Sequence, residues 1–397
     1  MKIALVAQHA TPLPGHSAQQ AEDTRLLELS RSLAGRGHGV TVYARRRGAS
    51  LPERADFGPG VKIEYIGPED RRPPAGGQDA DLLAQVPEFS RPLHERWRHD
   101  RPDVVHALRW TSGLAALAAA RELHMPIVQS FDSLGVAEQR HRMIPRGTGS
   151  ERIRLEPVIG RTANAVVAAS FDEESDLTRL GVPRRSIKVI PYGVDTDEFS
   201  PEGPAAPRTN RPRLLTVADL AEHEAIGTLL RALGKVPEAE LVVAGGPPSN
   251  ELRGDLAYRR LAKLAHSLEL SGRVFFAGQV GRAALPSLLR SADLLVSVSD
   301  YEPSALTALQ AMACGLPVIA TPVGGQIDAV VDGTTGILVP AGRPALLAQR
   351  IRQLLAHPIL LEAFSMAATD RARSRYSWDR IAHETLAVYD TALSTAA

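Results

Sequence analysis

Residues 301–340, YEPSALTALQAMACGLPVIATPVGGQIDAVVDGTTGILVP, decide the fold of this chain. One carboxylate, Glu302, precedes a Pro303-Ser304 pair that can start a helix. An amphipathic run follows to Cys314 and is stopped by Gly315. Pro317 to Ala320 then has a buried-strand pattern, Gly324-Gly325 makes a turn, and a short helix ends near Asp332-Gly333. A helix that begins beside a carboxylate and turns its N-terminus toward a ligand can hold an anion on backbone N–H groups. The carboxylate alongside can accept hydrogen bonds from sugar hydroxyls.

The same alternation of strand and helix extends outward in both directions. Upstream, strands are expected at Leu214 to Val217, Leu241 to Ala244, Val274 to Ala277 and Leu294 to Ser297, with helices at Gly227 to Leu233 and Leu252 to Ser267. The first half repeats the theme. Ile3 to Ala7 reads as a strand and Ser17 to Arg36 as a helix, with Ser17 as N-cap and Gly37 as stop. Further strands are expected at residues 40–44, 61–66, 104–105, 127–130, 165–169 and 187–190, with an Ala-rich helix at 112–123. Alternation of this kind implies parallel sheets covered on both faces. Residues 195–212, DTDEFSPEGPAAPRTNRP, lack periodicity and read as a linker. Residues 67–92 read as a long loop. The organisation predicted is a first domain over 1–195, a linker over 196–212, a second domain over 213–375 and a terminal helix over 376–397. Two such domains place a ligand between the carboxyl ends of their sheets.

Composition narrows the class. Hydrophobic residues make up 44% and charged residues 23%, as in a water-soluble globular protein. A net charge of +1 argues against nucleic acid as the main partner. One cysteine, Cys314, excludes an intrachain disulfide and fits a reducing cytoplasm. The N-terminal apolar run spans about five residues, shorter than a signal peptide core of roughly 7–15. Nothing approaches the roughly 18 apolar residues of a membrane span. Two Asp-x-Asp pairs, Asp79/Asp81 and Asp195/Asp197, fall in the long loop and at the start of the linker. A three-residue match of that kind carries no metal site, and none is expected.

The chain resembles the retaining family-4 glycosyltransferases of the GT-B fold. Their pattern is Glu, seven residues, Glu, then Ala-Met-Ala-x-Gly-x-Pro-Val. Here it runs from Glu302 through Ala311-Met312-Ala313-Cys314-Gly315-Leu316-Pro317-Val318, with Gln310 in place of the second Glu. The likeness is most specific over residues 185–340, in IKVIPYGVDTDEF (187–199) and in GRAALPSLLRSADLLVSVSDYEPSALTALQAMACGLPVIAT (281–321). It implies two doubly wound Rossmann-like domains facing a central cleft, with the last helix, Trp378 to Leu393, crossing back to the first domain. It also implies a nucleotide-diphosphate sugar donor, UDP- or GDP-linked. Glu302 would bind donor hydroxyls, the amides of Ser304, Ala305 and Leu306 would face the donor, and Gln310 would reach the ribose. Asp219, Glu224, Gln279 and Val280 complete the donor positions that the resemblance implies. No metal, cofactor or protein nucleophile is expected.

The phosphate positions depart from the family, which has Arg and then Lys in a Gly-Arg-Leu-x-x-x-Lys-Gly pattern. The stretch here is ADLAEHEA (218–225), so Asp219 and Glu224 stand where the two cations would. Three readings stay open. Arg282 and Arg290 can supply the missing charge; Asp219, Glu222, His223 and Glu224 can hold a divalent cation; or the chain can be a non-catalytic partner protein with a degenerate donor site.

In the first domain, the family's Gly-Gly turn is replaced by Gln20-Ala21, with Gly15 and His16 offered as a shifted substitute on the acceptor side. His106 is retained in VVHALRWTSG, with Arg109 and Trp110 at acceptor-facing positions, and Asp132 occupies the place of a donor-facing His. His106 also reads as a packed strand-end residue, and Asp132 as a helix N-cap. The basic run Arg140, His141, Arg142, Arg146, Arg152, Arg154 suits a phosphorylated acceptor, anionic lipid headgroups or plain solvation. The expected function is retaining transfer of a sugar to a small-molecule, lipid-linked or glycan acceptor in the cytoplasm, with peripheral membrane contact open.

Overall fold

The computed structural model describes residues 1–8, 21–46, 52–67, 79–141 and 150–396. The chain divides into two units, Met1–Tyr192 with Trp378–Ala397, and Gly193–Ser377. The first contains β1 (Lys2–Ala7), α1 (Ala21–Gly35), β2 (Gly39–Arg45), β3 (Arg54–Asp56), β4 (Val61–Ile66), α2 (Asp79–Ala84), α3 (Val86–His99) and β5 (Val104–Leu108). It continues through α4 (Trp110–Ala120), β6 (Ile127–Ser130), α5 (Gly135–Arg140), α6 (Ser150–Thr162), β7 (Ala165–Ala168), α7 (Phe171–Arg179) and β8 (Ile187–Val189).

Strand order is β3-β4-β2-β1-β5-β6-β7-β8, parallel except for β3 against β4. Every residue of β5, β6 and β7 is buried, as expected of a sheet covered on both faces. The order reverses between β1 and β5, so their carboxyl ends form the unit's switch point.

The second unit contains β9 (Arg213–Val217), α8 (His223–Leu233), β10 (Glu240–Ala244), α9 (Leu256–Ser267), β11 (Val274–Gly278), α10 (Leu285–Arg290) and β12 (Leu294–Ser297). After these come α11 (Leu306–Ala313), β13 (Val318–Ala320), α12 (Gly325–Ala329), β14 (Gly336–Leu338), α13 (Pro344–Leu355) and α14 (Pro358–Tyr376). Its sheet, β11-β10-β9-β12-β13-β14, is parallel throughout and reverses between β9 and β12. The last helix, α15 (Trp378–Ala396), belongs to the first unit. There Trp378, Ile381, Tyr389 and Ala392 share a core with Leu5, Val42, Val128 and Val167.

Two expectations need correction. Residues 79–92 are not loop: α2 and α3 occupy them, because Phe89, Leu93 and Trp97 recur at helical spacing and bury one face of α3. Pro87 at the helix start and Pro92 inside it obscured that period. Residues 68–78 lie outside the described residues, as does the proposed N-cap Ser17.

Residues 196–212 are not a free-standing linker either, since they belong to the second unit. Arg290 donates to the carbonyls of Pro204 (2.9 Å) and Ser200 (3.1 Å), and Arg213 donates to Pro207 (2.9 Å). Arg208 pairs with Asp293 at 2.7 Å. Aperiodic sequence recorded the missing helix and strand, not missing contacts.

Candidate functional site

The switch point of the second unit is where β9 and β12 end. After β12 the chain runs through Ser299, Asp300 and Tyr301 to Glu302, then enters α11. Ala305 caps that helix in a left-handed conformation (φ 52°). The Gly324-Gly325 turn packs directly on this loop. Gly325 N–H donates to the Glu302 carbonyl at 3.0 Å, and a Cβ on Gly324 would come within 2.2 Å of that oxygen. Only glycine allows so close an approach at φ 49°. The paired glycines therefore set the height of the Glu302 loop.

Glu302 is half-buried, and its carboxylate folds back onto the start of α11. Oε1 accepts the Ser304 hydroxyl at 2.9 Å and the Ser304 N–H at 3.3 Å, and the Ala305 N–H also faces it. The Leu306 N–H is taken by the Ser304 hydroxyl at 3.3 Å. The amides expected to meet a donor are thus turned on the loop itself. Burial raises the Glu302 pKa above the ordinary carboxyl value, against the lowering effect of those donors. Gln310, on the second turn of α11, is buried.

From the β9 side comes the turn 218–222. Asp219 caps it by accepting the Ala221 N–H at 2.9 Å and is exposed. Glu222, just before α8, is the acid that meets the crevice. Burial raises its pKa, the Ser299 hydroxyl beside it opposes the rise, and the negative charges of Glu302, Asp219 and Asp300 add to it. Glu224 is exposed and lines a groove between α8 and α9. Residue spacing identified the turn as acidic; it did not show which acid faces inward.

The loops after β10 and β11 close the same end of the sheet. Gly245 N–H donates to the Gly278 carbonyl at 2.8 Å, and Gln279 N–H to the Pro247 carbonyl at 3.0 Å. Gln279 is exposed and Val280 half-buried.

The compensating cations are committed elsewhere. Arg282 pairs with Glu198 and lies 4.0 Å from Asp195, while Arg290 anchors the segment after residue 199. Asp195 is a turn cap, accepting the N–H groups of Asp197 and Glu198 at 3.0 Å each. Among the described residues no group of three His, Cys, Asp or Glu side chains is arranged to hold a metal ion.

In the first unit, His106 and Asp132 enter a buried polar chain. His106 Nδ1 bonds the Tyr389 hydroxyl (2.8 Å) and Nε2 the Ser130 hydroxyl (2.9 Å). Burial and then the charge of Arg25 lower its pKa to about 3, so the ring is neutral. His106 has no exposed surface and both ring nitrogens are occupied, so it sits as a packed strand residue linking Ser130 to Tyr389.

Asp132, at φ 64°, is no N-cap: it forms a buried ion pair with Arg25, which also reaches Ser130 and stacks on Tyr192. Arg25 carried no motif, and only the fold brings it here from α1. Glu173 lies within reach of both charges, its pKa raised to about 8 by burial.

Arg109 holds a left-handed conformation (φ 72°) at the start of α4 and is half-buried, and Trp110 is buried. Gly15 and His16 lie outside the described residues. The basic run is largely neutralised. Arg140 pairs with Asp176, Arg154 with Glu151, and Arg152 with both Glu138 and Glu156; positions 142–149 are not described. Among the described residues no helix is long and apolar enough to cross a membrane.

Comparison with known proteins places this arrangement in a context. The family "Glycosyl transferases group 1" matches residues 202–371, and "Glycosyltransferase Family 4" matches residues 23–198. D-inositol 3-phosphate glycosyltransferase of Streptomyces bingchenggensis is 31% identical, over 99% of this chain and 90% of its own. The Xylanimonas cellulosilytica enzyme of the same name is 32% identical over 98% and 96%. Among solved structures, sucrose-phosphate synthase from Thermosynechococcus elongatus superposes with a TM-score of 0.85 at 25% identity, covering 99% of both chains. Anabaena HepE, solved with UDP and glucose, superposes at 0.73 with 20% identity, over 98% of this chain and 99% of that one.

Proposed function

This chain belongs to the family 4 glycosyltransferases, the glycosyl transferases group 1 of GT-B fold. From that premise we propose that it moves a sugar, with retention, from a nucleoside-diphosphate sugar to a hydroxyl of a small polyol or polyol phosphate. The observation that carries the reading is Glu302, held by a glycine-braced loop at the switch point beside the first turn of α11. The relatives that share the chain's full length and about a third of its residues are named for inositol 3-phosphate, which motivates the acceptor class.

In this reading the donor sugar displaces the Ser304 contacts and exchanges its hydroxyls for them on the Glu302 carboxylate. The amides of Ser304, Ala305 and Leu306 are then released toward the diphosphate, where the helix N-terminus favours negative charge. The C1–oxygen bond to the leaving phosphate breaks, the acceptor oxygen bonds C1 on the same face, and the acceptor proton passes to the departing phosphate oxygen. Gln310 contacts the ribose through its amide, which can accept one bond and donate another. Positioning supplies most of the rate, so no protein nucleophile is required. Asp219 and Glu222 oppose the donor's charge, and the wild type binds nucleotide weakly.

The test is a panel of UDP- and GDP-sugars against inositol and its monophosphates, with and without chelator, following the product's anomeric configuration by NMR. Retained configuration, unaffected by chelator, is expected. Inversion or chelator inactivation would refute the mechanism. If no sugar is transferred and no nucleoside diphosphate shifts the melting temperature, the chain is a non-catalytic partner.

A further inference from the structure

A second feature of the second unit lies outside the donor crevice. Between α8 and α9 is an open groove of about 420 Å³ lined by Arg231 and Arg260, both exposed. Among the described residues neither side chain forms an ion pair or a hydrogen bond. Gly227, in the interior of α8, makes the room. A Cβ there would sit 3.2 Å from an Arg231 guanidinium nitrogen and 3.4 Å from a Leu264 methyl. Glycine inside a helix costs roughly 0.5–1 kcal/mol relative to alanine, so the space is kept at a cost in stability. His223 and Thr228 add polar edges from α8, and Glu224 is the one acid on the rim.

We propose that this groove is a binding site for a phosphomonoester. Two unpaired guanidinium forks match a phosphate dianion in both charge and planar donor geometry. One fork would suffice for a carboxylate, and two would leave a surplus charge. The volume exceeds that of inorganic phosphate and accommodates a sugar ring beyond the phosphoryl group, against the apolar wall of Leu261 and Leu264. The site shares α8 with the acidic turn: Glu224 borders the groove, and Glu222, two residues earlier, borders the crevice. It does not depend on the transfer reaction proposed above, because binding alone tests it.

Inorganic phosphate and glucose 6-phosphate are titrated calorimetrically into the full chain, the double variant Arg231→Gln/Arg260→Gln, and Gly227→Leu. Saturable binding to the wild type is expected. The double variant should lose about tenfold or more in affinity with its melting temperature unchanged. Gly227→Leu, which fills the groove and keeps both charges, should weaken binding likewise. Tighter binding of the hexose phosphate marks a sugar ester as the occupant, and equal binding marks the free anion. Glu302→Ala serves as the control for the crevice and should bind as wild type does. The proposal is overturned if the wild type binds neither probe, or if the double variant keeps wild-type affinity. It is equally overturned if Glu302→Ala, and not the arginine variants, loses binding.

Discussion

Glu302 and Glu222 are the two residues whose surroundings say most about chemistry. Both carboxylates are drawn above the ordinary carboxyl pKa by burial, and Glu222 further by its acidic neighbours. Glu302→Ala removes a loop side chain bonded to Ser304 and leaves the backbone contact with Gly325 intact. The variant should fold normally and lose more than about 90% of sugar transfer, a barrier change above ~1.4 kcal/mol. Retention of most of the activity would remove Glu302 from the site. Glu222 acts in the opposite sense. Charged, it repels a diphosphate; protonated, it does not. Because its pKa is raised, nucleoside diphosphate binding should strengthen as pH falls. In Asp219→Asn/Glu222→Gln, binding at neutral pH should be tighter by about 1–3 kcal/mol and the pH dependence flattened. Equal affinity of the two proteins at every pH would show that these acids do not face the nucleotide.

Among the elements, α15 stands out because its partners are so distant in sequence. Its Tyr389 hydroxyl bonds His106, whose other nitrogen bonds Ser130, which in turn meets Arg25. Tyr389→Phe leaves a buried imidazole nitrogen without its partner and should cost about 1–3 kcal/mol in urea denaturation of the first unit. Deleting α15 before Trp378 removes Trp378, Ile381 and Tyr389 from that core and should abolish the cooperative melting of the first unit. A truncated chain that melts like wild type would contradict this packing. The amphipathic period of α15 was legible, with Trp378, Ile381, Leu386 and Tyr389 spaced for one buried stripe. Which sheet receives the stripe was not recorded in the period.

For the molecule as a whole, stability should depend on pH through groups buried in the first unit. Glu173 is raised from the ordinary 4.5 to about 8 and Glu156 to about 7, in both cases chiefly by burial. A raised folded-state pKa means that the native state binds more protons than the unfolded chain over that interval. The stabilisation is complete below pH 4.5 and is lost as pH rises through the folded values. His106, lowered from 6.5 to about 3, works the other way, its contribution being lost as pH falls below 6.5. The two slopes oppose each other in acid, so the clear window is pH 6.5 to 8, where the melting temperature of the first unit should fall. Glu173→Gln should flatten that fall, and an unchanged slope in the variant would show that Glu173 is not the proton-linked group.

The sequence by itself determined the architecture. Two series of apolar runs alternating with helical patterns can bury their surfaces only as two parallel sheets, and residues 301–340 carried the glycine, proline and carboxylate pattern of one family. Local spacing records burial, and burial is what fixes strand, helix and turn. The tertiary structure alone decided partners. It paired Arg25 with Asp132, 107 positions apart, and His106 with Tyr389, 283 apart. It brought Glu222 beside Ser299 and Glu302, set Glu224 on the groove between α8 and α9, and folded the Ser304 and Ala305 amides ahead of α11 onto Glu302. A charged or polar side chain is neutralised by whatever the topology brings beside it, and that neighbour leaves no periodic trace in the chain.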